Sequence, residues 1–166
     1  PAAIVCDPTK ESIVRKIATA AGIERLYTLN ATGQGSLIEQ SESLSEDFLT
    51  VPRNKDDLAA LLYSSGTTGF PKGVMLTHGN LLSNTEALVQ SWEFTKDDRL
   101  LHALPIFHVH GLFVAIGCVL LSGANMRWIA SYNLEQVIES LPECTVMMGV
   151  PSYYTRLLAT NQFTAD

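Results

Sequence analysis

The sequence is short of several things, and each shortage excludes a class of protein. Cysteine occurs three times, as Cys6, Cys118 and Cys144, an odd and widely spaced set embedded in apolar strings. A disulfide framework or a cysteine metal clip needs closer, paired spacing, so buried free thiols in a reducing compartment are expected, with the cytoplasm as the default localisation. Basic residues are outnumbered: 11 Lys plus Arg stand against 17 Asp plus Glu, a formal net charge of -6. No electrostatic footprint for nucleic acid is present. Long hydrophobic runs are missing too. The longest wholly apolar one, Leu112 to Leu121, is far below the ~20 residues that span a bilayer, and no basic segment leads into an apolar core at the N-terminus. Neither a membrane span nor a secretory signal is expected. What is present is a 166-residue chain that is 46% hydrophobic and only 17% charged, enough for a core of its own. It begins without methionine, directly in an apolar run, and is expected to be a piece of something longer.

Strand and helix patterns alternate along it. Pro1 to Cys6 reads as a buried strand ended by Asp7-Pro8, and Ile13, Val14, Ile17 and Ala21 fall at helical spacing before Gly22. Ile23 to Leu29 resumes as strand, which predicts a parallel β-α-β unit over 1–29. From 30 to 55 the composition turns to Gly, Ser, Thr, Gln and acidic residues, the pattern of a surface linker. Strands are then predicted at Leu58–Tyr63, Val74–Leu76, Arg99–Leu104, Asn125–Ile129 and Thr145–Val150. Helices are predicted at about Asn80–Trp92, Gly111–Leu121, Leu134–Leu141 and from Pro151 to Leu158, where Pro151 takes the first helical position. The Gly111–Leu121 helix is apolar on every side, which favours core packing over lining a pocket. The order predicts an α/β layered fold around a mainly parallel sheet flanked by helices.

The chemistry concentrates between two of these strands, in Tyr63-Ser64-Ser65-Gly66-Thr67-Thr68-Gly69-Phe70-Pro71-Lys72-Gly73. Glycines let backbone N–H groups turn toward a ligand, hydroxyls add neutral donors, and Lys72 adds one mobile positive charge. Together they describe a phosphate cradle. It is not a Walker loop, because Pro71 replaces the second glycine and Gly73 the hydroxyl residue after the lysine.

The loop resembles the phosphate-binding signature of the adenylate-forming, AMP-binding superfamily of acyl-CoA synthetases, luciferases and peptide-synthetase adenylation domains. Thr77-His78-Gly79-Asn80-Leu81 and Leu104-Pro105-Ile106-Phe107-His108-Val109-His110-Gly111 carry the same resemblance. Within the superfamily, His102 to Phe113 and Met148 to Leu158 look most like malonyl-CoA synthetases. The resemblance implies an acid–thiol ligase in two steps: a carboxylate attacks the α-phosphate of ATP, and coenzyme A then displaces AMP. It implies ATP, Mg²⁺ and coenzyme A together with a small-molecule carboxylate. Ser64, Ser65, Gly66, Thr67, Thr68, Gly69 and Lys72 would hold the nucleotide. Lys72 and His108 would serve the chemistry. His108, Met148, Gly149 and Arg156 would meet the acid; Arg156 either pairs with the second carboxylate of a diacid or snorkels from its helix. The chain is then a partial N-terminal AMP-binding domain, with 56–166 as its ATP-loop and acyl-pocket half. A complete member continues far beyond Asp166, through an adenine loop, a threonine-glutamate motif, a ribose-binding aspartate and a late catalytic lysine. The isolated chain is therefore expected to be inactive and, with its sheet cut short, to self-associate. Ser131 stands where a basic residue precedes the aromatic in malonyl-CoA synthetases, which counts against a diacid. The alternatives are a ligase for a monocarboxylic fatty or aryl acid and a nucleotide-binding or regulatory module without turnover.

The remaining candidates are plainer. His102, His108 and His110 lack a nearby Asp, Glu or Cys to complete a metal shell, and His102 and His110 are expected to be structural. Gly33-Gln34-Gly35 lacks the third glycine of a dinucleotide fingerprint. Asp56-Asp57 and Asp97-Asp98 are expected to be solvated turns.

Overall fold

The structure is a computed structural model that describes residues 1–64 and 70–163. The chain forms two compact units, Pro1–Val51 and Pro52–Asp166, with an α/β architecture of mainly parallel strands flanked by helices.

The first unit is the expected β-α-β element. Strand β1 (Ala3–Cys6) and strand β2 (Arg25–Thr28) pair in parallel, Ala3 opposite Arg25 and Cys6 opposite Thr28, and helix α1 (Glu11–Ala20) connects them. Asp7 starts the crossover by accepting bonds from the Thr9 amide at 2.9 Å and the Thr9 hydroxyl at 2.6 Å. The Thr9 hydroxyl, then its amide, hold the Asp7 carboxyl below its usual value. Gly22, at φ +67°, ends the connection in a left-handed turn that an ordinary side chain resists. The strand expected to be buried is not: Val5 is exposed, as are Ile13 and Ile17 on α1. Two strands and one helix offer too little surface to cover an apolar stripe. The polar stretch after β2 is also not wholly irregular, since helix α2 (Ser36–Ser41) forms within it. Its first residue is tied back to β2, where the Thr28 amide donates to the Ser36 hydroxyl at 2.9 Å.

The second unit opens with an antiparallel hairpin of β3 (Leu58–Ser64) and β4 (Lys72–Thr77), in which Ser64 faces Lys72. Helix α3 (His78–Ser91) follows directly, started by a reciprocal cap: the Thr77 hydroxyl accepts from the Asn80 amide and the Asn80 side chain from the Thr77 amide, both at 3.1 Å. The Thr77-His78-Gly79-Asn80 motif is thus a helix start, anchored further by Gly79 N–H donating to the Lys55 carbonyl at 2.7 Å.

A three-stranded parallel sheet completes the unit, in the order β6 (Asn125–Trp128), β5 (Arg99–His102), β7 (Val146–Met148). Alternation along central β5 builds two cores. Leu100, with Leu104 beyond the strand, packs with Phe94, Ala115, Cys118, Val119 and Met148 on one face; Leu101 and Ala103 pack with Ile129, Val137 and Leu157 on the other. Leu100, Leu101 and His102 are fully buried, as befits a parallel strand covered on both faces. The apolar run expected as one helix winds first as a π-helical stretch over His110–Ala115 and tightens into α4 (Ile116–Ser122) only afterwards. Its outer side is not core: Leu120 is 76% exposed, and Leu112, Leu120 and Leu121 line an apolar groove with Leu81 and Leu82 of α3. Helices α5 (Leu134–Ser140) and α6 (Pro151–Leu158) cover the opposite face.

Two other expectations need correcting. Of the cysteines only Cys118 is buried; Cys6 and Cys144 are half-buried, the first in the thin two-stranded sheet and the second just before edge strand β7. Burial pushes the Cys118 thiol up, which keeps it protonated and unreactive. Asp98 is more than a solvated turn. It accepts from the Thr95 amide at 2.7 Å and from the Thr145 hydroxyl at 2.7 Å, and the Thr145 oxygen accepts from the Arg99 amide at 2.9 Å. The Thr95 amide first, then the Thr145 hydroxyl, hold the Asp98 carboxyl low, and this network ties the starts of β5 and β7 together.

Candidate active site

In open parallel sheets, ligands bind at the carboxyl ends of the strands, where successive loops diverge. Here the ends of β5, β6 and β7 converge. The loop after β5 carries Phe107 and His108, both exposed, with ring centroids 4.5 Å apart. The His108 amide donates to the Pro105 carbonyl at 3.3 Å, and the His108 carbonyl accepts from Leu112 at 3.0 Å. His108 therefore sits on a turn whose backbone is fixed while its ring is free to meet a ligand. Beside the end of β7 lies a cavity of about 290 Å³, lined among others by Trp92, Phe94, His110, Met148, Gly149 and Tyr154. It is mostly apolar, and its polar side-chain groups are the His110 imidazole, the Tyr154 phenol and the Trp92 indole N–H.

Of the residues that the sequence singles out, Met148 and Gly149 line this cavity, whereas His108, Arg156 and Lys72 are not among its walls. Arg156, in the last turn of α6, is exposed and lies with its guanidinium carbon 5.7 Å from the centre of the Tyr132 ring, within cation–π range. Tyr132 in turn stacks on Tyr153 at 4.0 Å. Lys72 is exposed at the first position of β4, opposite Ser64, so the hairpin fixes its backbone and leaves its side chain open to solvent. Ser65, Gly66, Thr67, Thr68 and Gly69 lie outside the described residues. The sequence reading passed over His110, Trp92, Phe94 and Tyr154 as cavity walls. Tyr154 had a signal in the segment around Pro151; Trp92 and Phe94 follow α3 without any recognisable spacing.

Below these loops His102 is fully buried against Trp128, with ring centroids 4.6 Å apart, and neither ring nitrogen has a hydrogen-bond partner among the described residues. Burial pushes its pKa down, and the nearby charge of His110 pushes the same way. The fold therefore favours the neutral ring, and unfolding favours its protonation. Stability from this source is fully present above the unfolded value of about 6.5 and is lost as pH falls below it, by at most about 1.4 kcal/mol per pH unit for one proton. Urea midpoints measured from about pH 8 down to pH 5 should fall in wild type, and His102→Phe, which keeps a ring against Trp128 without a titrating group, should flatten the fall. Parallel curves would assign the acid sensitivity to other groups.

A family model described as AMP-binding enzyme matches residues 1–166. The chain is 43% identical over 155 residues to the mitochondrial malonate–CoA ligase of Homo sapiens, covering 88% of this chain and 25% of that protein. It is 34% identical over 150 residues to 4-coumarate–CoA ligase 1 of Narcissus pseudonarcissus, covering 85% of this chain and 27% of that protein. The crystal structure of ATP-bound MatB from Rhodopseudomonas palustris matches with a TM-score of 0.93 at 46% identity, over 99% of this chain and 32% of that one. The chain thus spans about a quarter to a third of the length of these relatives. With the family model matched along the chain and the fold shared with an ATP-bound relative, the chain belongs to the AMP-binding, adenylate-forming enzymes.

Proposed function

We propose that this chain is the ATP-loop and acyl-pocket part of an acyl-CoA synthetase, and that the acid it activates is malonate. The observation that carries the reading is the 43% identity to a malonate–CoA ligase over 88% of the chain. In the reaction, a carboxylate oxygen bonds to the α-phosphorus of ATP, the bond to the β-phosphate oxygen breaks, and pyrophosphate leaves. The sulfur of coenzyme A then takes the acyl carbon, AMP departs with the electron pair, and the thiol proton passes to solvent. Such phosphoryl chemistry depends mainly on positioning and charge stabilisation. Lys72 and the hydroxyls of the Ser64–Gly69 loop suit phosphate oxygens, and Mg²⁺, when bound, would neutralise the departing pyrophosphate. Met148 and Gly149 would wall the acyl site beside His110, and His108 would shape its mouth. The free cysteines fit a reducing compartment such as the cytoplasm.

Malonate brings a second carboxylate whose desolvation needs a cation, and Arg156 is the candidate. Because its guanidinium is exposed and already rests over Tyr132, its pairing energy is that of a partly solvated contact. In the complete ligase, Arg156→Ala should lower kcat/KM for malonate by about 1–2 kcal/mol, roughly 5- to 30-fold, and spare propionate. Equal losses on both acids would mean that Arg156 only buttresses Tyr132. A wild-type enzyme that prefers a monocarboxylate would favour the reading suggested by the 4-coumarate–CoA ligase similarity.

A further inference from the structure

Tyr153 joins the ends of all three strands of the parallel sheet. Its hydroxyl donates to the Ala103 carbonyl at 3.2 Å, across 50 residues of sequence. Ala103 is the first residue past β5 and is 2% exposed, so its carbonyl lies beyond the strand ladder and out of water, where an unmet acceptor is costly. The Tyr153 backbone carbonyl accepts the Tyr132 hydroxyl at 3.0 Å, and the two rings stack at 4.0 Å. Tyr132 lies in the connection that follows β6, and Tyr153 itself stands in the first turn of α6, four residues after Gly149 begins the exit from β7. One side chain thus references the loops after β5, β6 and β7 to one another.

We propose that Tyr153 is a positioning residue for the carboxylic acid: it sets the 104–109 loop that carries His108 and, through Tyr132, the platform under Arg156. The proposal rests on the ligase reading for its kinetic consequence and on the hydrogen bonds alone for its structural one. A residue that acts through two acid-side loops should alter acid binding without altering the nucleotide loop on the β3–β4 hairpin.

The test is Tyr153→Phe in the complete ligase, which keeps the ring and removes the hydroxyl. The KM for malonate should rise at least fivefold, while kcat and the KM for ATP stay within twofold. Amide hydrogen exchange at His108 and Leu112, whose bonds hold the loop, should quicken about tenfold while Leu100 and Leu101 stay protected. Tyr132→Phe, which removes the bond to the Tyr153 carbonyl, should give the same pattern more weakly. Unchanged exchange at His108 and Leu112 would overturn the proposal and make Tyr153 a packing residue. Faster exchange with an unchanged malonate KM would overturn the assignment of this loop to the acid while leaving the hydrogen-bond role intact. Equal rises in the KM for ATP and malonate would also overturn it, as a general loosening of the unit.

Discussion

Gly111→Ala should destabilise the Pro52–Asp166 unit by about 3 kcal/mol, the size of a severe overpacking. A Cβ at this position would collide with the Pro105 carbonyl oxygen and lie 2.9 Å from its carbon and 3.2 Å from the Leu104 oxygen. These are backbone atoms that cannot rotate aside. Gly111 is buried at the start of the π-helical stretch, so relief would require pushing that stretch off the loop that carries His108. With a urea m-value of about 2 kcal/mol/M, the midpoint should fall by about 1.5 M. An unchanged midpoint would show that the loop and the π-helical turn separate readily.

The second large effect concerns catalysis. On the proposed ligase reading, Lys72→Ala in the complete protein should raise the barrier to adenylation by roughly 2–4 kcal/mol, the loss expected for one charge contact made with the transition state. Lys72 is exposed and has no ion pair among the described residues, so its removal should leave the unfolding midpoint where it was. That separation makes the measurement clean: ATP–pyrophosphate exchange dependent on the proposed acid, malonate, should collapse in a protein of normal stability. Exchange close to the wild-type rate would remove Lys72 from the chemistry.

The alternation of strands and helices was legible because buried parallel strands and amphipathic helices leave different periods in a sequence. Thr77 to Leu81 was legible only as part of a resemblance, with the helix expected from about Asn80; that Thr77 and Asn80 form a reciprocal cap for a helix starting at His78 is visible only in the structure. Other features were hidden for definite reasons. A run such as Gly111–Leu121, apolar on all sides, has no phase, so neither its π-helical start nor its exposed outer side could be read from it. The exposure of Val5 depends on how many strands lie beside it, which local pattern does not encode. The cavity walls Trp92 and Phe94, and the Tyr153 bond to Ala103, depend on contacts between distant segments. The resemblance to malonyl-CoA synthetases pointed to Met148 and Gly149, but not to Tyr132 occupying the face of Arg156.

The pair β5 and β7 is fastened at both ends. At one end Asp98 holds the Thr145 hydroxyl, whose oxygen takes the Arg99 amide; at the other the Tyr153 hydroxyl holds the Ala103 carbonyl. Sliding one strand along the other by a single residue would break all three bonds and turn Met148 out of its core. The two strands therefore form a rigid keel. Movement within this unit therefore falls to the loops that leave the two strands, because shear between them is locked.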